Sequence, residues 1–273
     1  MTQKTFVLGL GAPKAGTTWL YRYISAAPAS NMGCRKEYRV LPAMFSDIPL
    51  KSKFNFRRLF RLRYGILPVP DRSQALRLRM LTQAGFYERY FAGLVEGDAW
   101  LTGDISPGYM KLSADALRRA TTRLQSAGFH VKAIFLMRDP VERCWSGARM
   151  RKRNQVPGFT DISDEDAVRK IYADPKVAGL CRYDRTLSVL DEVFDPEQVF
   201  VGLYEEFFTK AELERLSRFI GIETRPEALR LVFNKTHRDG NLPLELVNEI
   251  KAHFAPVYET CHVRFPQTRE LWT

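Results

Sequence analysis

KTFVLGL, GAPKAG, TTWLYRYISAA: these three consecutive pieces, residues 4–27, decide the fold. Lys4 to Leu10 is a short apolar and β-branched run without polar alternation, the pattern of a strand buried on both faces. Gly11 to Gly16 is a turn by composition. Thr17 to Ala27 reads as a helix whose opening threonines suit its first turn. Strand, glycine-rich loop and helix in that order open an α/β fold. A loop placed at a helix N-terminus presents backbone N–H groups to an anion.

The alternation continues downstream. Ser73 to Gly93 has a helical apolar face, Trp100 to Gly103 reads as a short strand, and Asp104 to Gly108 (DISPG) reads as a turn. Ser113 is placed to cap a helix that runs to Ala127 and stops at Gly128. Val131 to Met137 (VKAIFLM) is a second buried strand, and Pro140 suits the first position of the helix after it. Lys176 to Phe194 reads as helix, Gln198 to Tyr204 as a third strand, Thr209 to Ile220 as a capped helix, and Pro243 starts a last helix through about Glu259. The expectation is a parallel central sheet flanked by helices. With no repeat and no low-complexity linker, residues 1–273 read as a single domain carrying a basic inserted segment at about 47–95.

Hydrophobic residues make up 45% of the 273 and charged ones 27%, which argues against wholesale disorder. No apolar run approaches the roughly 20 residues of a spanning helix, and the N-terminus is too short and loop-like for a secretory signal. The expected address is therefore cytoplasmic, and the scattered cysteines (Cys34, Cys144, Cys181, Cys261) are expected as reduced thiols. The net charge of +11 is concentrated: Lys51 to Arg79 holds nine basic residues against Asp71 alone. Such a segment suits an anionic partner, or peripheral contact with a membrane, unless it is only a solvated face.

GAPKAGTT nearly matches the phosphate-loop pattern GxxxxGK[ST], but Thr17 occupies the lysine position and the lysine is Lys14, inside the loop. A cation three residues earlier would sit beside a shorter anion than a nucleoside triphosphate. The dinucleotide fingerprint also fails, because Lys14 stands where the third glycine is required. After the strand at 131–137 comes Arg138, a phosphate ligand, where a nucleotide triphosphatase would carry an aspartate for Mg²⁺.

Pro13-Lys14-Ala15-Gly16-Thr17-Thr18-Trp19 is similar to the 5′-phosphosulfate loop of the sulfotransferase family. Arg138 to Ser146 (RDPVERCWS) resembles that family's 3′-phosphate motif, an arginine at a strand end with a serine eight residues on. The resemblance implies a phosphate-loop-like sulfotransferase fold, closer to bacterial and glycan-type members than to cytosolic small-molecule ones. It also implies 3′-phosphoadenosine 5′-phosphosulfate as donor, with no metal. On that reading Lys14 stabilises the leaving oxygens, and Ala15, Gly16, Thr17 and Thr18 hold the 5′-phosphosulfate. Trp19 stacks on adenine, Arg138 and Ser146 take the 3′-phosphate, and Arg238, in a late loop, closes over the nucleotide.

An acceptor must lose a proton as it attacks sulfur, which requires a base within reach. Lys36-Glu37-Tyr38 resembles a family element that makes Glu37 the expected base, with Asp104 in reserve. The GDISPGY stretch resembles an acceptor-site segment, making Asp104, Ser106 and Tyr109 substrate contacts. None of the four histidines is well placed. The acceptor itself, an anionic glycan or lipid or something else, is not named by the sequence, and nucleic acid is not expected. Two other readings remain open at this point. One is a phosphate-loop kinase with a displaced lysine. The other is a nucleic-acid or membrane-surface binding protein that uses residues 51–79, where Phe54, Phe56, Phe60 and Tyr64 interleave with arginines.

Overall fold

The computed structural model describes residues 3–45, 72–231 and 240–273. Arg238 and most of the basic segment, including Arg57, Arg58 and Arg61, lie outside the described residues. The strands are β1 (Thr5–Gly11), β2 (Leu101–Ile105), β3 (His130–Met137) and β4 (Val199–Leu203). They form one all-parallel sheet in the order β2-β1-β3-β4. Phe6 lies opposite Thr102 on one side and Val131 on the other. Every residue of β1 and β2 is buried, which is why these strands read as unbroken runs rather than alternations. Gly9 permits close approach of the two: a Cβ there would lie 2.8 Å from the Ile105 side chain.

The helices are α1 (Thr17–Ser25), α2 (Leu41–Phe45), α3 (Arg72–Thr82), α4 (Phe86–Leu94), α5 (Ala114–Ser126), α6 (Pro140–Arg153), α7 (Asp164–Ala173), α8 (Pro175–Ala178), α9 (Tyr183–Val193), α10 (Lys210–Ile220), α11 (Leu244–His253), α12 (Ala255–Arg264) and α13 (Thr268–Leu271). Ser113 and Thr209 cap α5 and α10 as expected, accepting from the N–H groups of Ala116 and Glu212. Pro140 opens α6, with Asp139 as its cap.

Three expected helices prove to be broken. The one expected at Ser73–Gly93 is α3 and α4, divided before Gly85, whose φ of 69° lies in the left-handed region. The one expected at Lys176–Phe194 is α8 and α9. The last ends at His253 and restarts as α12, which places Pro256 in a first turn rather than in a helix interior where its ring would clash.

Core packing joins α4 to the sheet. The Phe6 ring meets Phe91 edge-on at 4.9 Å and Phe129 at 5.6 Å. A buried phenylalanine of this kind stabilises by about 3–5 kcal/mol relative to alanine. The four cysteines are unbonded, Cys34 exposed and the others buried. Among the described residues no helix is long and apolar enough to cross a membrane.

Candidate active site

The turns that follow all four strands converge on one cavity of about 740 Å³ at the carboxyl edge of the sheet, where open α/β sheets bind ligands. Lys14 and Gly16 come from the turn after β1. Ser106 and Tyr109 follow β2, Arg138 follows β3, and Tyr204 and Phe208 follow β4.

The first turn is shaped by backbone conformation. Lys14 takes a φ of 72°, uncommon for a side chain with a Cβ, and Gly16, the residue before α1, takes 86°. No side chain caps α1 and its first turn carries no acid, and Gly16, Thr17 and Thr18 at its positive end line the cavity. Burial pushes the Lys14 ammonium down to about 8, with the charges of Arg153, Arg138, Arg149 and Lys36 adding to the shift. Like charges gathered in this way make a site built for an anion.

Arg138 ties the second motif to the first. Its guanidinium donates to the Lys14 carbonyl at 3.3 Å and lies over the Tyr204 ring at 4.3 Å. Its carboxylate partner is Glu142, one helical turn on, at 3.0 Å, and not Asp104 or Asp139. Arg138 itself lines the cavity, and its Nε is buried with no partner among the described residues. Ser146, on the buried face of α6, opens into the same cavity with Met150 and Arg153. Asp139 turns away, accepting from the Tyr258 hydroxyl and the Val141 N–H.

Trp19 is 3% exposed: it stacks on Tyr23 at 5.0 Å, and its indole N–H donates to the Ala228 carbonyl at 3.0 Å. A remaining strip of the ring lines the cavity beside Phe208 and Leu229.

The opposite wall is a strap, residues 36–40, without regular structure of its own. It carries Glu37, whose carboxylate pairs with Lys36 at 3.1 Å and with Arg39. Asp104 holds the strap from beneath. This carboxylate has no exposure and accepts from the Ser106 and Tyr109 hydroxyls, both at 2.6 Å, from the Tyr87 hydroxyl at 3.2 Å, and from the Tyr38 N–H at 3.3 Å. Ser106 and Tyr109 in turn accept from the N–H groups of Arg39 and Val40. Burial nevertheless pushes the Asp104 carboxyl up to about 6, against the opposing effect of these hydrogen bonds. Of the residues expected to contact substrate, Ser106 and Tyr109 reach the cavity, whereas Asp104 sits behind them and positions the strap.

Lys36 is a functional candidate that sequence reasoning missed. Its ammonium donates to the Thr17 and Thr18 hydroxyls, at 3.2 and 3.1 Å, as well as to Glu37. It therefore bridges the anion loop and the candidate base. Local pattern could not reveal this, because the partners lie 18 and 19 residues away.

A model described as the sulfotransferase family matches residues 6–226. Among solved structures, a sulfotransferase from Alicyclobacillus acidocaldarius is 21% identical, with 96% of each chain covered and a TM-score of 0.61. A sulfotransferase from Mycobacterium avium is 13% identical over 95% of this chain and 77% of that one, with a TM-score of 0.48. No curated protein sequence matches.

Proposed function

The chain belongs to the sulfotransferase family, and on that premise we propose that it moves a sulfuryl group from 3′-phosphoadenosine 5′-phosphosulfate to an acceptor hydroxyl or amine. The observation that carries this reading is the bond from Arg138 to the Lys14 carbonyl, which joins two cationic pockets within one cavity. A donor with phosphate at both its 3′ and 5′ positions fits two pockets. The Arg138 guanidinium lining the cavity, the uncapped start of α1 and the crowded cations around Lys14 all favour anions there.

In this reading the donor supplies the sulfuryl group and a phosphate leaving group. The N–H groups of Gly16, Thr17 and Thr18 hold the 5′ end, and Arg138 and Ser146 hold the 3′-phosphate. Trp19, with Tyr204 and Phe208, forms the apolar wall for adenine. Glu37 accepts the acceptor's proton as the new bond to sulfur forms, and Lys14 offsets charge on the oxygen released. Lys36, hydrogen-bonded to both Thr17 and Thr18, spans the path between base and leaving group. The protein thus supplies positioning, positive charge at the leaving oxygen and one base.

The test is transfer of labelled sulfuryl from this donor into acceptor pools. Wild type should transfer label, and Lys14→Ala should reduce the rate about 10²- to 10³-fold, the range for one electrostatic contact at a developing charge. Equal rates in the two proteins would remove the role assigned to Lys14, and no transfer to any pool would count against the reading itself.

A further inference from the structure

Beside the main cavity lies a second depression of about 440 Å³, and Lys36, Glu37 and Arg39 form the wall between them. Its remaining lining includes Arg35, Arg77 and Ser73. Among the described residues, four cationic side chains thus line a space with one carboxylate, Glu37, and that carboxylate is already engaged by Lys36 and Arg39. Arg35 and Arg77 have no carboxylate partner among the described residues. Arg35 donates to the Ser73 carbonyl at 3.2 Å, and Arg77 donates to the Arg39 carbonyl at 3.2 Å. The Arg77 Nε is buried without a partner among the described residues.

These arginines also repel one another. Burial lowers the affinity of Arg77 for its proton, and the charges of Arg35 and Arg39 lower it further. Arg39 is held at a φ of 55°, in the left-handed region, by the same strap that presents Glu37. Arg35 and Arg77 are half-buried and Arg39 is exposed, and half-buried like charges beside a buried donor left unfilled are unfavourable unless an anion completes them. The pockets assigned to the donor lie beyond Lys36 in the main cavity, so they do not supply that anion.

We propose that this depression is an anion subsite for the acceptor, taking an oxyanion (carboxylate, sulfate or phosphate) carried close to the hydroxyl or amine that Glu37 deprotonates. The acceptor class is therefore anionic, and it is recognised by Arg35 and Arg77. This rests on the sulfuryl-transfer reading, which places Glu37 between the two cavities.

The experiment is calorimetric titration of inorganic phosphate, and separately of acetate, into protein saturated with adenosine 3′,5′-bisphosphate. Arg77→Gln, Arg35→Gln and Arg79→Gln are compared with wild type, and thermal melts confirm that each variant is folded. At least one of the two probes should bind, at one per chain. Its affinity should fall at least tenfold in the Arg77 and Arg35 variants and stay unchanged in Arg79→Gln, whose guanidinium lies over Phe86 instead. Binding of phosphate or acetate then separates tetrahedral from carboxylate acceptors. Absence of binding by both, or binding indifferent to Arg35 and Arg77, overturns the proposal. Failure of the bisphosphate itself to bind would instead overturn the donor reading. The probes titrated into unloaded protein would then still report the subsite through the same two variants.

Discussion

On one side of the cavity, Lys14, Gly16 and Arg138 are carried by turns that leave strand ends directly, one of them bonded to the backbone of another. On the other side, Glu37 rides on an irregular strap pinned by hydroxyls and N–H groups gathered around one buried carboxylate, Asp104. Main-chain geometry builds the wall proposed for the donor, and a side-chain network builds the wall proposed for the acceptor. Changes on the first should alter affinity and rate while sparing the fold. Changes to the network on the second should alter stability and the placement of Glu37 together.

The sharpest way to separate the halves is Glu37→Gln. Loss of the base should lower kcat about 10²- to 10⁴-fold while the affinity for adenosine 3′,5′-bisphosphate, measured by calorimetry, stays within twofold. A parallel loss of both would mean the halves are one unit.

Asp104→Ala probes the network. It leaves three buried hydroxyls and an N–H without their acceptor, so chemical denaturation should show a loss of about 3–5 kcal/mol. Asp104→Asn, which keeps the shape, should lose about 1–2 kcal/mol. Bisphosphate affinity should survive wherever the variants remain folded. An unchanged denaturation midpoint in the alanine variant would break the contrast.

A smaller effect lies in the pH profile. Lys14, pushed down to about 8, is charged below that pH and neutral above it. Since an anionic donor binds the charged form, kcat/KM for donor should fall by up to about tenfold per pH unit above 8. Lys14→Arg, which stays charged, should abolish that limb. Asp104, pushed up to about 6, takes a proton below that pH and turns at least one hydrogen bond away from the strap. A carboxyl whose folded value lies above its unfolded one gains stability on protonation. The acid limb should therefore appear in kcat, with no loss of melting temperature attributable to Asp104. A profile flat from pH 5 to 9 would contradict both assignments.

The same contrast explains what the sequence could say. The parallel sheet and the two loop motifs that meet in the cavity were legible because each is a run of neighbouring residues: an apolar strand followed at once by GAPKAGTT or by RDPVERCWS. The strap wall depends on contacts across the chain, from Asp104 to Tyr38 and from Lys36 back to Thr17, which no local period encodes. A signal for Asp104 existed, since hydroxyls two and five residues later offer partners to a carboxylate at the end of a buried strand. Burial behind them, rather than exposure to substrate, was the outcome. Helix breaks were missed where one residue carried the message, as at Gly85 and Pro256.

In the proposed reading Lys14 and Arg138 grip opposite ends of one nucleotide. Calorimetry of adenosine 3′,5′-bisphosphate against wild type and Arg138→Ala tests it most directly. Wild type should bind at one site per chain, and the variant about 10²-fold more weakly, equivalent to about 2–3 kcal/mol for charged hydrogen bonds. No binding by wild type, or equal binding by both proteins, would contradict it.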